Sequence, residues 1–175
     1  MAATSNSSSE EATLAPSELR YLVLAAQREG NRQLNQLLAP LGLTSSQAEI
    51  ITVIYTFGPL GLKELGELIV CEAGGPSRIV DTLVKRNLVT RTPDEHDRRA
   101  VTLSLTQTGR ELFEPLATLD HDMNSRALSL LDTDHLNGLV ISLRRLLLTT
   151  NSHDIMERRF AASRVGISQL LTGRS

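Results

Sequence analysis

The sequence predicts a mainly α-helical fold with one small β-hairpin. Apolar residues recur every three or four positions along much of the chain, which is the spacing of one helix face. Residues 100–105 instead alternate, with Val101, Leu103 and Leu105 on the inward side, as in a half-buried strand. Aromatic residues make up only 3% of a chain that is 41% hydrophobic, so we expect a core of Leu, Val, Ile and Ala.

Length and composition are typical of one cytoplasmic domain. The chain has 175 residues, a net charge of -2 and a single cysteine, which cannot form an intrachain disulfide. No apolar run reaches the roughly 18 residues that a membrane span needs, and the N-terminus lacks the order of a secretion signal. We therefore expect a protein of the cytoplasm with no membrane partner.

The first third of the chain predicts a polar tail and three helices. Residues 1–16 are small and polar, and we expect them to be disordered. A dimerisation helix occupies 17–43, with a polar centre around Gly30 and an end at Pro40. Thr44 and Gln47 have the spacing of a capping box for a helix over 45–57, and a short helix follows around 62–69.

The central stretch predicts a helix followed by a hairpin. Residues 77–86 bury Ile79, Val80, Leu83 and Val84 on one face, and Asn87 is suited to the left-handed turn that ends a helix. Strands over 88–91 and 100–105 enclose a polar loop over 92–99. Residues 44–105 thus contain three helices followed by a hairpin. This order indicates a winged helix-turn-helix, in which the hairpin loop is the wing.

The remainder predicts helices that extend beyond this lobe. Thr106 or Thr108 caps a long helix, which Pro115 is expected to bend rather than break. Asp132 caps the next helix, so that two dimerisation helices fill 106–150. Residues 151–175 form a C-terminal docking helix or tail, with weak helical periodicity over 155–171.

The charge of the lobe does not by itself indicate a DNA-binding protein. Residues 44–105 contain seven Lys and Arg against eight Asp and Glu, a net charge of -1. The basic residues are nevertheless clustered, since Lys85, Arg86 and Arg91 lie close together and Arg98 and Arg99 are adjacent in the wing. Local placement rather than total charge decides phosphate contact.

The sequence resembles the MarR-type transcription regulators over 19–147. The resemblance is strongest in the wing strand and the start of the following helix, where the chain reads Asp97-Arg98-Arg99-Ala100-Val101, then Leu103, Leu105-Thr106 and Gly109-Arg110. It implies a homodimer, held by its first and last helices, whose winged lobes bind a double-stranded DNA operator. The extended apolar seams of the outer helices independently predict dimerisation, because a lone domain cannot bury them.

The resemblance also implies which residues meet DNA. The recognition helix enters the major groove at Ser77 and Arg78, and a wing arginine enters the minor groove. The family's D-x-R signature falls on Asp97 and Arg99, and Glu72 is the acidic residue expected to pair with Arg99 and fix the wing. The predicted DNA-binding residues are Gly74, Gly75, Ser77, Arg78, Thr82, Lys85, Arg86, Arg98 and Arg99.

The start of the recognition helix departs from the family pattern. Gly74, Gly75 and Pro76 stand where relatives have hydroxyl or longer polar side chains. Pro76 suits the first turn of a helix, and the glycines permit a close approach of backbone to DNA. Direct base contacts are therefore expected to be few, with more weight on the wing and on DNA shape.

Other candidate sites have weaker patterns. Tyr21, Arg28, Arg32 and Tyr55 combine cations with aromatic rings and form a candidate site for a small aromatic or phenolic effector, or simply a solvated helix face. Cys71 is either a redox sensor beside the recognition helix or a buried thiol. The four histidines lack metal-ligand spacing, so we expect no metal and no cofactor.

Two functions remain from different classes. The first is a homodimeric, sequence-specific DNA-binding regulator, most simply a repressor relieved by a ligand or an oxidant. The alternative is a winged-helix protein-interaction module that no longer binds DNA, which the acidic balance and the Gly-Gly-Pro start favour. An enzyme is not expected, because the sequence shows no nucleophile motif, phosphate loop or paired carboxylates.

Overall fold

The protein is described by a computed structural model covering residues 16–70, 75–93 and 101–172, with side chains over 17–70, 75–93 and 101–161. This part of the chain is mainly helical and has one small antiparallel sheet. Its helices are α1 (Pro16–Leu38), α2 (Ser45–Phe57), α3 (Leu62–Gly66), α4 (Pro76–Lys85), α5 (Gln107–Glu111), α6 (Phe113–Leu130), α7 (Thr133–Leu147) and α8 (Asn151–Thr172). Its strands are β1 (Leu60–Gly61), β2 (Val89–Pro93) and β3 (Val101–Leu105). The predicted fold class is confirmed.

The sheet contains one strand more than the predicted hairpin. The hairpin pairs Val89 with Leu105 and Pro93 with Val101, and β1 adds Leu60 beside Leu103, giving the order β1-β3-β2. Thr92 and Pro93 belong to β2, so the predicted loop begins two residues too early. Val101 was predicted to face inward but is 36% exposed, because it lies at the far end of the hairpin from the core.

One hydrophobic core holds the helix-turn-helix lobe together. It contains Ile50 and Ile51 of α2, Leu65 of α3 and Leu83 of α4, each completely buried, and Leu103 from the central strand. Burying a side chain of this size stabilises the fold by about 1.5–3 kcal/mol. The apolar face predicted from periodicity in α4 is therefore part of this core, where it packs with apolar residues of α2.

The outer helices contribute little to that core. In the single chain, α7 has no buried residue, and α1 runs without interruption through its polar centre with most of its apolar side chains exposed. No single helix in the described part of the chain combines the length and apolar character needed to cross a membrane, although α1 and α2 pass that test when the bent pair is taken together.

The helix after the sheet is interrupted at one residue, Leu112, whose backbone keeps helical dihedral angles (φ -75°, ψ -16°). Thr106, not Thr108, caps α5 by accepting a hydrogen bond from the Gly109 amide at 3.0 Å, and α6 begins at Phe113 after a break at Leu112. Pro115 explains the break, since its ring clashes with the carbonyl four residues earlier, at Glu111, the last residue of α5. The expected bend at this proline stays a prediction.

Local capping explains the start of α2. The Gln47 amide donates to Thr44 Oγ1 at 3.3 Å, and the Thr44 amide donates back to Gln47 Oε1 at 3.1 Å. We expect Thr44→Ala to lower the free energy of unfolding by about 1 kcal/mol, because an amide at the helix start loses its acceptor. Urea denaturation measures the change. Thr56→Ala, at the exposed end of the same helix, is the control, and equal effects of the two variants would contradict the capping argument.

Candidate nucleic-acid interface

The exposed face of α4 is a continuous polar stripe. Gly75, with φ 77°, turns the chain into the helix, and Pro76 occupies its first turn. Val80 and Leu83 are completely buried beneath the helix. The spacing of apolar residues thus orients α4, and the stripe lies on its opposite side. The exposed residues of the stripe are Ser77, Arg78, Thr82 and Lys85.

Two cations of this stripe have no acidic partner among the described residues. Arg78, Thr82 and Lys85 follow one another at intervals of four and three residues, which places them on the same side of the helix. No ion pair within the described residues involves Arg78 or Lys85. No carboxylate of the described residues therefore neutralises their charge.

An ion pair joins the base of the hairpin to α4. Arg91 Nη1 in β2 lies 2.5 Å from Asp81 Oδ1, and its Nη2 donates to the Ser77 carbonyl at 3.4 Å. Both side chains are partly exposed, so the pair stabilises the fold by less than about 1 kcal/mol. Its larger effect is to neutralise the acidic residue of the stripe and to fix the hairpin against the helix. The sequence placed Arg91 in a strand but gave no partner for it.

Arg86 makes structural contacts at the end of α4. Its Nη1 donates to the Gly42 carbonyl at 2.8 Å and to Gln47 Oε1 at 3.2 Å, and Asn87 follows in the left-handed conformation with φ 56°. These bonds hold the end of α4 against the start of α2. The predicted DNA contact of Arg86 stays a prediction, whereas its described contacts are with protein.

Several predicted residues lie outside the described residues. Before α4 they are Cys71, Glu72 and Gly74, and in the wing they are Asp97, Arg98 and Arg99. The proposed pairing of Glu72 with Arg99, the wing contacts with DNA and the redox role of Cys71 therefore stay predictions.

The four predicted effector residues do not converge on one site. Tyr21 and Arg28 line an open depression of about 830 Å³ along α1, where Arg20 also lies over the Tyr21 ring at 4.4 Å. Tyr55 instead stacks on Phe113 of α6, with 3.5 Å between ring centroids and an angle of 5°.

Arg32 is engaged by its neighbour on the helix. It donates to Glu29 through two hydrogen bonds of 3.0 and 2.7 Å. These two hydrogen bonds are the main reason that the pKa of Glu29 is lowered to about 2, and a hydrogen bond from Gln33 has a smaller effect. At neutral pH the Arg32 guanidinium therefore already has a carboxylate partner.

A second cavity, of about 400 Å³, lies between α1, α2 and α6. Apolar side chains such as Leu34, Ala48 and Leu116 form much of its lining, and Arg159 of α8 reaches into the same lining. The sequence did not indicate this cavity, because its walls come from segments more than a hundred residues apart. Elsewhere in the described residues, no three His, Cys, Asp or Glu side chains form a group that could hold a metal ion.

Comparison with known proteins identifies similar sequences. A family model described as MarR family matches residues 43–101. The organic hydroperoxide resistance transcriptional regulator of Bacillus subtilis (strain 168) is 30% identical over 97 residues, which are 55% of this chain and 66% of that protein. The multiple antibiotic resistance protein MarR of Escherichia coli (strain K12) is 27% identical over 130 residues, which are 74% of this chain and 90% of that protein.

Solved structures resemble the chain over a similar extent. The crystal structure of a mutant MarR from E. coli complexed with operator DNA has a TM-score of 0.68 and 26% identity, and the match covers 74% of this chain and 93% of that one. The S. aureus MepR-DNA complex has a TM-score of 0.69 at 20% identity, covering 75% and 96%, a likeness that concerns the fold alone. These relatives share the arrangement of helices and hairpin described above.

Proposed function

The chain belongs to the MarR family of transcription regulators, and from this premise we propose that it is a homodimer that binds a pseudo-palindromic DNA operator. Bound at a promoter, it represses transcription by occupying the DNA. The observation that carries this proposal is the exposed stripe of α4, where Arg78 and Lys85 stand without acidic partners among the described residues and Arg91 neutralises Asp81. A helix presented in this way fits the width of the major groove.

The outer helices support the proposed dimer. Large apolar side chains on α1 and α7 are about half exposed in the single chain, among them Leu22 at 58% and Ile141 at 53%. Leu130, at the end of α6, is 74% exposed. A stable monomer rarely exposes so extensive an apolar surface, and a second copy of the same surface covers it with twofold symmetry. In the proposed domain organisation, 17–43 and 106–150 form this interface and 44–105 form the DNA-binding lobe.

Twofold symmetry determines how the proposed dimer meets DNA. Two recognition helices must lie in major grooves about one helical turn, or 34–36 Å, apart. A ligand or oxidant that changes the separation of the lobes therefore relieves repression. We propose a small aromatic or phenolic effector, and we favour the cavity between α1, α2 and α6 over the four scattered residues, because apolar side chains from three helices converge on it. Cys71 remains the candidate for an oxidant. We also propose that the protein acts in the cytoplasm, where it meets chromosomal DNA.

The proposed function makes a direct prediction about salt. The chain should retard a DNA fragment that includes the promoter of its own gene, because regulators often act beside their genes. The logarithm of the association constant should fall linearly with the logarithm of salt concentration, by about 0.9 for each phosphate neutralised. Fluorescence anisotropy at increasing salt concentrations measures this slope.

Unrelated DNA of equal length and base composition is the control in that experiment. Specific binding predicts that the promoter fragment is retained when unrelated DNA is in large excess. Failure to bind any DNA at low salt would overturn the proposal and would favour the protein-interaction module instead.

A further inference from the structure

Helix α8 lies outside the helix-turn-helix lobe but contacts it through charged side chains. Three consecutive residues make contacts with three different elements. Glu157 pairs with Arg144 of α7, Arg158 pairs with Glu67 at the end of α3, and Arg159 pairs with Glu49 of α2. Consecutive positions on a helix point about 100° apart, so one turn of α8 connects a predicted dimerisation helix with two helices of the lobe.

The pair of Arg159 with Glu49 is the more buried of the two contacts to the lobe. The side chains of Arg159 and Glu49 are 24% and 9% exposed, whereas those of Arg158 and Glu67 are 54% and 44% exposed. Exposed pairs contribute little because solvent screens them, whereas a more buried pair is screened less and its loss has a larger effect. Of these two arginines, Arg159 is therefore the one whose loss should matter.

Glu49 also fixes the backbone that leads to the recognition helix. Its Oε1, the atom that meets Arg159, accepts a hydrogen bond from the Val70 amide at 2.9 Å. Val70 follows the buried Ile69 and lies in the connection between α3 and α4. The position of this carboxylate is thus coupled both to α8 and to the turn of the helix-turn-helix.

We propose that α8 is a strap that holds the helix-turn-helix lobe, and that Arg159 is a positioning residue for DNA binding. Arg159 does not touch DNA in this proposal. Its guanidinium keeps the Glu49 carboxylate of α2 in place, the carboxylate holds the Val70 amide after α3, and α4 thereby keeps the orientation that DNA requires. The effect on DNA rests on the proposed function, whereas the effect on the turn does not.

Two neighbouring variants of the full chain test the strap. Arg159→Gln removes the buried charge, and Arg158→Gln removes an adjacent, more exposed charge from the same helix. We expect Arg159→Gln to speed hydrogen exchange of the Val70 amide by about tenfold and to weaken binding to the promoter fragment by about tenfold, equivalent to 1.4 kcal/mol. Arg158→Gln should change either quantity by less than about twofold. The dimer, measured by light scattering, should persist in both variants.

A second substitution tests the route through Glu49. Glu49→Gln keeps a side-chain oxygen for Val70 but removes the charge that Arg159 compensates. In the Glu49→Gln background, Arg159→Gln should therefore have a smaller effect than in the original chain, and Arg159→Lys should keep more affinity than Arg159→Gln. Should Arg159→Gln fail to fold, Arg159→Lys and Glu49→Gln replace it. The variant that keeps the charge pair, Arg159→Lys, should then keep slower exchange at Val70 and higher DNA affinity than Glu49→Gln.

The two proposals fail in different ways. Equal exchange at Val70 in the Arg158→Gln and Arg159→Gln variants, or unchanged exchange in both, would overturn the strap whatever the DNA result. Faster exchange at Val70 with unchanged affinity would also overturn it, because the turn would then not control DNA binding. Absence of DNA binding by the original chain would overturn the proposed function, and the exchange experiment would still decide whether α8 holds the turn.

Discussion

Replacing Gly109 with alanine is expected to lower the free energy of unfolding by about 3 kcal/mol or more. An added Cβ would lie 2.0 Å from the Leu88 carbonyl oxygen and 3.0 Å from its carbon. Both are backbone atoms, so no side-chain rotation relieves the clash. The same carbonyl accepts the Thr106 amide at 3.1 Å, so that moving it also disturbs the junction between α4, the sheet and α5.

Urea denaturation of the purified variant measures the loss, and thermal melting gives an independent estimate. Gly66→Ala is the matched control, because Gly66 ends α3 within the helix-turn-helix lobe and an added Cβ there meets only Pro76 Cγ, at an ordinary distance of 3.8 Å. Alanine is the better helix former by about 0.5–1 kcal/mol, so the control should be neutral or slightly stabilised. A Gly109→Ala variant as stable as the original chain would show that the close approach of α5 to Leu88 is wrong.

Replacing Arg78 with alanine is expected to weaken operator binding by at least about tenfold while leaving the fold intact. Arg78 is exposed in the first turn of α4 and has no ion pair with the described residues, so its truncation costs no internal contact of that kind. A guanidinium that reads a guanine through two hydrogen bonds contributes about 1–3 kcal/mol. A tenfold loss corresponds to 1.4 kcal/mol, the lower half of this range.

Binding of operator variants distinguishes two roles for Arg78. If the side chain reads a base, Arg78→Ala should reduce discrimination at one position of each half-site and leave the salt slope unchanged. If it contacts a phosphate, the variant should bind all sequences more weakly and reduce the salt slope by about one for each copy. Arg158→Ala, at an arginine of α8 that is 54% exposed and lies outside the proposed dimer interface, is the control and should leave affinity unchanged. Equal affinities of the two variants would remove α4 from the interface.

Local signals in the sequence predicted the elements that local interactions determine. The limits of α2 follow from its capping box at Thr44 and from Gly58 after its last residue, and Asp132 caps α7 as expected, accepting from the His135 amide at 2.8 Å. In both cases the determining groups lie within four residues of the helix end. The exposed stripe of α4 was predictable for the same reason, because helical spacing alone separates its polar and apolar faces.

Features that depend on distant segments were not predictable. The strand β1 contains only Leu60 and Gly61 and exists because β3 lies beside it, so that no alternating pattern marks it. Arg86 reaches a loop 44 residues earlier, and Arg159 reaches a helix 110 residues earlier. The sequence shows that these side chains are charged, but only the packing of the chain decides which partners they meet. The cavity between α1, α2 and α6 was not predicted for the same reason, since its lining residues come from distant segments.

The strand β1 connects the hairpin to the helical part of the lobe. β3 pairs with β1 on one edge and with β2 on the other. The hairpin is therefore hydrogen-bonded to the segment that directly follows α2. On the opposite edge of the sheet, Arg91 of β2 forms an ion pair with Asp81 of α4. The sheet pairing and this ion pair thus connect the described part of the hairpin both to the segment after α2 and to α4. In the proposed dimer, this connection favours an effector that changes the distance between the two lobes over one that changes the inside of either lobe.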